Sequence, residues 1–226
     1  TTSPNTDGMD IVSSRNVTVS KMDIHTGDDN IAIKSGLVPG TGAPSTDITV
    51  RDSIMRDGHG ISVGSEIANG IGRVTVSNVT FLNTENGVRI KSARDRGNTI
   101  GPLVAEHLTM TNVATPILVT NSYSGQSGAK GNTLISALDN AQVTATTPKI
   151  SGVNISNLTA TNANHAMIFS GLPDSAVQHV SLQHIAIQAK YGVQARYVNG
   201  NGVDVRIKTQ QGPVPEQGPQ AAPKFN

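Results

Sequence analysis

Four short motifs within the first 91 residues combine side chains that could act together in catalysis. In chain order they are Asn5-Thr6-Asp7, Gly27-Asp28-Asp29, Gly58-His59-Gly60 and Arg89-Ile90-Lys91. Three clustered carboxylates cannot all ionise with equal ease, so we expect at least one raised pKa. A protonated carboxyl beside ionised ones is the pairing that hydrolysis of a glycosidic bond needs. The two cations could bind an anionic substrate.

A repeated pair of apolar segments predicts the elements that position these motifs. The first segment has a weaker copy at Val104 and otherwise begins at Val17, Ile48, Val74, Val153 and Val180. The second follows 13 or 14 residues later, at Ile31, Ile61, Val88, Ile117, Met167 and Val193. A two-residue hydrophobic period inside a repeat of this length predicts an all-β parallel β-helix, with an antiparallel sandwich as the alternative.

Unit spacing and composition bound the domain. Successive units start roughly 26 to 31 residues apart, except for a gap from Val104 to Val153 that we interpret as a loop excursion around residues 122–140. We assign residues 1–209 to the β-helix and predict that the Pro-rich stretch 210–226 is extended or disordered.

The formal charge of +1 argues against a nucleic-acid partner, and no apolar run is long enough to span a membrane. The absence of cysteine excludes disulfides and thiol chemistry.

Aligning the units on their second apolar segment brings three of the motif residues into one column. Asp7, Asp29 and His59 then lie on three consecutive coils, each about 4.8 Å from the next, and Asp28 lies beside the column. The repeat therefore predicts a single cluster of carboxylates and one imidazole.

The two cations of the fourth motif lie further along the same face. Arg89 and Lys91 alternate with Val88 and Ile90, so we expect them to point away from the core. They lie two coils beyond the aspartates, which predicts a separation of roughly 10 Å along the axis. That distance suits cations that bind a carboxylate on a neighbouring sugar ring.

The four motifs, in this order, resemble those of the polygalacturonases. The wider segments 27–34 and 58–65 also resemble this family, and the coil pattern extends the resemblance to about residue 209. The resemblance implies a right-handed parallel β-helix that hydrolyses α-1,4 bonds in polygalacturonate or pectin with inversion. It implies no cofactor or metal, a secreted (extracellular or periplasmic) monomer, and no nucleic-acid or membrane partner. Asn30 replaces a cysteine of many members and indicates a bacterial type.

The resemblance also implies catalytic roles for four residues. Asp28 would be the general acid that protonates the leaving oxygen. Asp7 and Asp29 would activate the water that attacks from the opposite face, and inversion requires room for that water. His59 would tune the proton affinity of the acid and help to hold it in place.

Substrate-binding roles follow from the same resemblance. Arg89 and Lys91 would bind galacturonate carboxylates, and Tyr123, which follows an apolar strand, would contact the substrate. The loops between Asp7 and Lys91 are short, the longest running from about Ser35 to Thr46, and this favours an open groove and endo attack. Family members usually have several coils before the first motif, so we expect those coils to be absent here.

Three alternatives remain open at this point. The first is an exo-acting polygalacturonase. The second is a pectate-lyase-like β-helix that uses calcium at Asp28 and Asp29. The third is a non-catalytic β-helix that binds glycans, for which Asp28→Asn would leave the biological activity unchanged.

Overall fold

The computed structural model describes residues 3–123 and 142–211, together with the backbone of two short strands near the C-terminus. The described part contains strands and turns but no helix. The strands are β1 (Met9–Val12), β2 (Arg15–Ser20), β3 (Asp23–Thr26), β4 (Ile31–Lys34), β5 (Thr46–Asp57), β6 (Ile61–Gly64), β7 (Val74–Leu82), β8 (Asn86–Lys91), β9 (Thr99–Ile100), β10 (Leu103–Thr111), β11 (Thr115–Thr120), β12 (Lys149–Ser170), β13 (Val177–Arg196), β14 (Val198–Thr209), β15 (Glu216–Gln217) and β16 (Ala221–Phe225).

One stack of parallel strands carries the four motifs, and we call it the site sheet. It consists of β1, β4, β6, β8, β11 and the C-terminal parts of β12 and β13. The residues paired from coil to coil are Met9, Ile31, Ile61, Val88, Ile117, Met167 and Val193. All six starting points predicted for the second apolar segment are therefore in register.

The first apolar segments form a second parallel stack from β2, β5, β7, β10, the N-terminal parts of β12 and β13, and β14. Its register confirms the predicted starting points except at Val104, which was wrong by one residue. Leu103 pairs with Val74 and is buried, whereas Val104 pairs with Thr75 and is only partly buried. The prediction was wrong because the inward residues here are Leu103 and the small Ala105, and their alternation gives only a weak hydrophobic period.

The strands of this second stack bend at a shared corner, where one residue per coil adopts a left-handed backbone. Five of these corner residues have φ between 51° and 55°: Asp52, Asn78, His107, Asn157 and His184. Asn and Asp tolerate this conformation better than other residues with a side chain, because their short polar groups can bond locally. The corner turns each coil back towards the site sheet.

A column of aliphatic side chains fills the interior and joins the coils. Residues such as Ile31, Ile48 and Ile90 are fully buried, and Phe81 and Phe169 are the largest of the fully buried side chains among the described residues. Such burial stabilises the fold by about 1.5–3 kcal/mol for each large side chain. The predicted all-β parallel β-helix is confirmed.

Two predictions concern segments that are described only in part. The loop predicted around residues 122–140 lies almost entirely outside the described residues. Within the stretch 210–226, β15 pairs with β13 and β16 pairs with β14. The remainder of that stretch after Gln211 lies outside the described residues. Across the part of the chain that is described, no helix is long and apolar enough to cross a membrane.

Candidate functional site

Three turns at the start of successive site-sheet strands bring the predicted acidic cluster together. Asp7 precedes β1, Asp28 and Asp29 lie between β3 and β4, and His59 lies between β5 and β6. Gly8 N donates to the carbonyl of Asp29 (2.9 Å), and His59 N donates to the carbonyl of Asp28 (2.9 Å). The predicted column of Asp7, Asp29 and His59, with Asp28 beside it, is present in the backbone register.

The turn that carries His59 depends on its two flanking glycines. Gly58 and Gly60 have φ of 55° and 77°, and a Cβ on Gly60 would lie 2.1 Å from the carbonyl oxygen of Asn86. The buried Asn30 side chain joins this turn to its own coil, since its Oδ1 accepts from Gly60 N (2.9 Å). Asn30 thus positions the imidazole through the backbone and has a structural role.

Three donors converge on the carboxylate of Asp28, whose side chain is 18% exposed. Its Oδ1 lies 2.8 Å from the amide N of Asp29 and 2.9 Å from His59 Nδ1, and its Oδ2 accepts from the amide N of Asn5 (3.1 Å). These three contacts fix the position and orientation of the Asp28 carboxyl group.

Asp29 lies at the centre of a buried ion cluster. Its side chain is 1% exposed, and its Oδ1 accepts from Ser62 Oγ (2.8 Å) and from Arg89 Nη2, while its Oδ2 accepts from Lys91 Nζ (2.8 Å). Arg89 Nε also donates to Ser62 Oγ (2.8 Å). Both cations are buried against this one carboxylate.

This contact corrects the expected separation of roughly 10 Å between the cations and the aspartates. Arg89 and Lys91 do start two coils beyond Asp29, but their long side chains run back along the site sheet and contact it. The strand register fixes only the distance between backbones. A buried carboxylate is stabilised by a cation beside it, so the long side chains of Arg89 and Lys91 extend to Asp29.

Burial and the neighbouring charges together shift the pKa values of Asp29 and Lys91. Burial alone would raise the pKa of Asp29, but the charges of Arg89 and Lys91 outweigh burial and lower it below the usual value. Burial and the neighbouring Arg89 lower the pKa of Lys91, and Asp29 opposes that shift. Asp29 is therefore held as an anion.

Asp7 has the opposite electrostatic setting. Burial, followed by the charges of Asp28 and Asp29, raises the pKa of Asp7, while Lys34 opposes the shift. The Nζ of Lys34 lies 3.4 Å from Asp7 Oδ2 and 2.9 Å from Asp10 Oδ1, so this cation is shared. The raised pKa expected among the three carboxylates thus belongs to Asp7.

The imidazole of His59 lies between two carboxylates. Its Nδ1 faces Asp28, and its Nε2 lies 3.1 Å from Oε2 of Glu85, which is 45% exposed. Both contacts are hydrogen bonds only when both ring nitrogens carry a proton. Glu85 and Asp28 together hold the ring in one orientation.

Tyr123 lies beside this cluster, just after β11. Its backbone N donates to the carbonyl of Ser92 (3.0 Å), and Lys91 Nζ lies 5.4 Å from the centre of its ring. Burial raises the pKa of the Tyr123 hydroxyl. The predicted substrate-contacting residue therefore adjoins the buried cations.

Sequence reasoning missed Ser62, Lys34 and Glu85. Ser62 and Lys34 occupy outward positions of the site sheet, alternating with the inward residues of β6 and β4, and this alternation was a signal that could have identified them. Glu85 lies in the turn before β8, and no pattern in the sequence indicated that it faces His59.

One group of side chains has the spacing of metal ligands. Ligand atoms of Asp28, Asp29 and His59 lie within 4.8 Å of one another. Both oxygens of Asp29 already contact cationic side chains, however, and a divalent ion would have to displace Arg89 or Lys91. Calcium also favours oxygen ligands over imidazole. The donor set does not fit a calcium site.

Several polygalacturonases are similar to this chain over more than half of its length. It is 37% identical over 129 residues to an endo-polygalacturonase of Pectobacterium carotovorum subsp. carotovorum, a match that covers 57% of this chain and 31% of the relative. It is 33% identical over 204 residues to a polygalacturonase of Chamaecyparis obtusa, covering 88% of this chain and 36% of the relative. Bacterial and plant proteins thus match alike.

Two solved structures share the fold. An exopolygalacturonase from Thermotoga maritima superposes with a TM-score of 0.76 at 24% identity and covers 92% of this chain and 45% of that one. A polygalacturonase from Erwinia carotovora ssp. carotovora gives a TM-score of 0.66 at 25% identity over 88% of this chain and 47% of that one. The chain spans less than half the length of each of these relatives. Residues 1–201 match glycosyl hydrolases family 28, and the chain therefore belongs to that family.

Proposed function

We propose that this chain hydrolyses α-1,4 bonds between galacturonate residues of pectate or pectin, by an inverting general acid/base mechanism and with endo action. The observation that carries the proposal is the Asp28 carboxylate, placed by three donors beside an anionic Asp29 that is fixed by Arg89 and Lys91. The family membership and the names of the relatives support it.

In this mechanism Asp28 gives its proton to the glycosidic oxygen as the bond from that oxygen to the anomeric carbon breaks. A carboxylate of Asp7 or Asp29 takes a proton from the attacking water, whose oxygen forms the new bond to the anomeric carbon. After the proton leaves, the donors on Asp28, including His59 Nδ1, stabilise its anion.

The cations and Tyr123 would hold the substrate. Asp29 accepts a single one of the three N–H donors of Lys91, so the ammonium can also bind a sugar carboxylate above the site sheet. The guanidinium of Arg89 has five such donors, and its hydrogen bonds to Ser62 and Asp29 use two of its nitrogens. A uronate polymer supplies one carboxylate on every ring for these groups.

Endo action is supported by the short connections that follow β4 and β6. The loop between β4 and β5 runs from Ser35 to Ser45, and the one between β6 and β7 from Ser65 to Arg73. Neither is long enough to form a large wall across the groove. Relatives of both endo and exo type match this chain, so the product pattern decides between them.

We also propose that the protein is a secreted monomer that works outside the cytoplasm, because a polymeric substrate must be degraded before uptake. The bacterial type expected from Asn30 stays a prediction, because bacterial and plant relatives match this chain alike. The polysaccharide is the partner proposed for this surface, rather than nucleic acid or membrane.

The test is to incubate the protein with polygalacturonate and to follow the reducing ends and the product sizes over time. We expect a spread of oligomers among the products. Because the mechanism inverts the anomeric carbon, cleavage of an α-bond should first release the β-anomer, which proton NMR detects. Release of monomer as the single product would indicate exo action in place of endo action. The absence of new reducing ends would overturn the proposal.

Asp28→Asn is the sharpest single variant for this test. Because the acid's proton is lost, we expect kcat to fall by about 10²–10⁴-fold. Asp47→Asn is the matched control, since Asp47 is exposed at the start of β5, outside the site sheet. Equal activity of the two variants would contradict the assignment of Asp28 as the acid.

A calcium-dependent lyase is the second candidate, favoured only by the spacing of Asp28, Asp29 and His59. It predicts an unsaturated, ultraviolet-absorbing product and loss of activity with a chelator. The hydrolase predicts neither outcome.

A further inference from the structure

The two carboxylates assigned to water activation are not equally able to do it. Oδ1 of Asp29 already accepts from Ser62 and Arg89, Oδ2 accepts from Lys91, and the side chain is 1% exposed. A water molecule therefore has little access to an oxygen of Asp29. Two cationic donors also make this carboxylate a weak base.

Asp7 is accessible to water, since its side chain is 18% exposed. The charges that act on it come from three elements. Asp28 and Asp29 face it from the turn before β4, Asp10 from β1, and Lys34 from the end of β4. Burial and the charges of these three acids make Asp7 harder to ionise, and Lys34 opposes them.

Lys34 is fixed where it can act on Asp7. Its side chain leaves the last residue of the four-residue strand β4 and is 19% exposed. Asp10 Oδ1 holds the ammonium at 2.9 Å, and the charge of Glu66 attracts it further. The ammonium then lies 3.4 Å from Asp7 Oδ2.

We propose that Lys34 is a positioning residue for the hydrolysis: it orients Asp7 and keeps it ionised, so that Asp7 takes the proton of the attacking water while Asp29 anchors Arg89 and Lys91. This inference rests on the function proposed above. Asp10 shares the ammonium and so limits how strongly Lys34 acts on Asp7.

The first test compares pH profiles of kcat/KM for Lys34→Met and Asp10→Asn. The acidic limb reports the essential base of the free enzyme. Loss of Lys34 removes an attraction that favours ionised Asp7, so the limb should move to higher pH by about 0.5–1 unit. Asp10→Asn removes a negative charge and releases Lys34 to Asp7, so the limb should move to lower pH.

Two controls separate positioning from other roles. Lys34→Arg keeps the charge and should leave the limb close to that of the unchanged protein. Lys208→Met removes an exposed lysine on β14 and should change nothing. A higher KM for Lys34→Met with an unmoved limb would show that Lys34 binds substrate, and would overturn the proposal.

The second test does not depend on activity and keeps this inference distinct from the proposed function. The carboxyl carbons of the aspartates are labelled with ¹³C, and Asp7 is titrated by NMR in the full chain and in both variants. The midpoint for Asp7 should rise in Lys34→Met and fall in Asp10→Asn, even where no hydrolysis occurs. An unchanged midpoint in both variants would overturn the role of Lys34.

Discussion

Asp7 and Asp29 occupy the same register column on neighbouring coils, yet their surroundings are opposite. Asp29 is buried and contacts two cations and a serine hydroxyl, whereas Asp7 is partly exposed and shares one lysine with Asp10. Their pKa values shift in opposite directions, down for Asp29 and up for Asp7. The repeat thus brings the acidic groups together, while the long side chains of Arg89, Lys91 and Lys34 influence the pKa value of each group.

The largest expected effect is that of Asp29→Asn on stability. The variant leaves Arg89 and Lys91 buried without their anion, and breaking a buried ion pair costs about 3–5 kcal/mol. Urea denaturation at pH 7 measures the loss in the free energy of unfolding. Asp47→Asn, at an exposed site, is the control and should cost less than about 0.5 kcal/mol.

The pH dependence of that loss sharpens the prediction. The folded-state pKa of Asp29 lies below the unfolded value of 3.8, so its contribution is present above 3.8 and disappears as the pH falls through the folded value. The difference between the protein and Asp29→Asn should therefore shrink in acid. A difference that is small at pH 7 would contradict the buried ion cluster.

Asp7→Asn should have a smaller effect of opposite sign. The raised pKa means that ionised Asp7 is disfavoured in the folded state, so we expect the variant to be slightly more stable at neutral pH. The gain should be below about 1 kcal/mol, because solvent screens a partly exposed group. This gain should disappear as the pH falls from the raised folded-state pKa of Asp7 to the unfolded value of 3.8. Asp7 is then protonated in both states, and its ionisation no longer lowers the free energy of unfolding. Destabilisation by more than 1 kcal/mol would show that Asp7 is a structural anchor like Asp29.

Much of the backbone of this site was predictable from sequence. The spacing of 13 or 14 residues between apolar segments located β4, β6 and β8 and placed Asp7, Asp29 and His59 in one column. The one-residue error at Val104 arose where Leu103 and the small Ala105 fill the core in place of β-branched residues, because the hydrophobic periodicity is weak there.

The side-chain contacts were not predictable in the same way. A register gives the separation of backbones, but the side chains of Arg89 and Lys91 are long enough to reach a carboxylate two coils away. Ser62 contacts Asp29 and Arg89 because the three converge in space, although they are far apart in the chain. Such contacts depend on burial and rotamers, which the periodic pattern does not encode.

We infer that, of the two carboxylates in the column, Asp29 is a fixed anion and Asp7 gains and loses a proton. A pH titration of the unchanged protein, labelled with ¹³C at the aspartate carboxyl carbons and followed by NMR, tests this inference. We expect a midpoint above 3.8 for Asp7 and one below 3.8 for Asp29. The reverse order, or a common midpoint for the two groups, would contradict it.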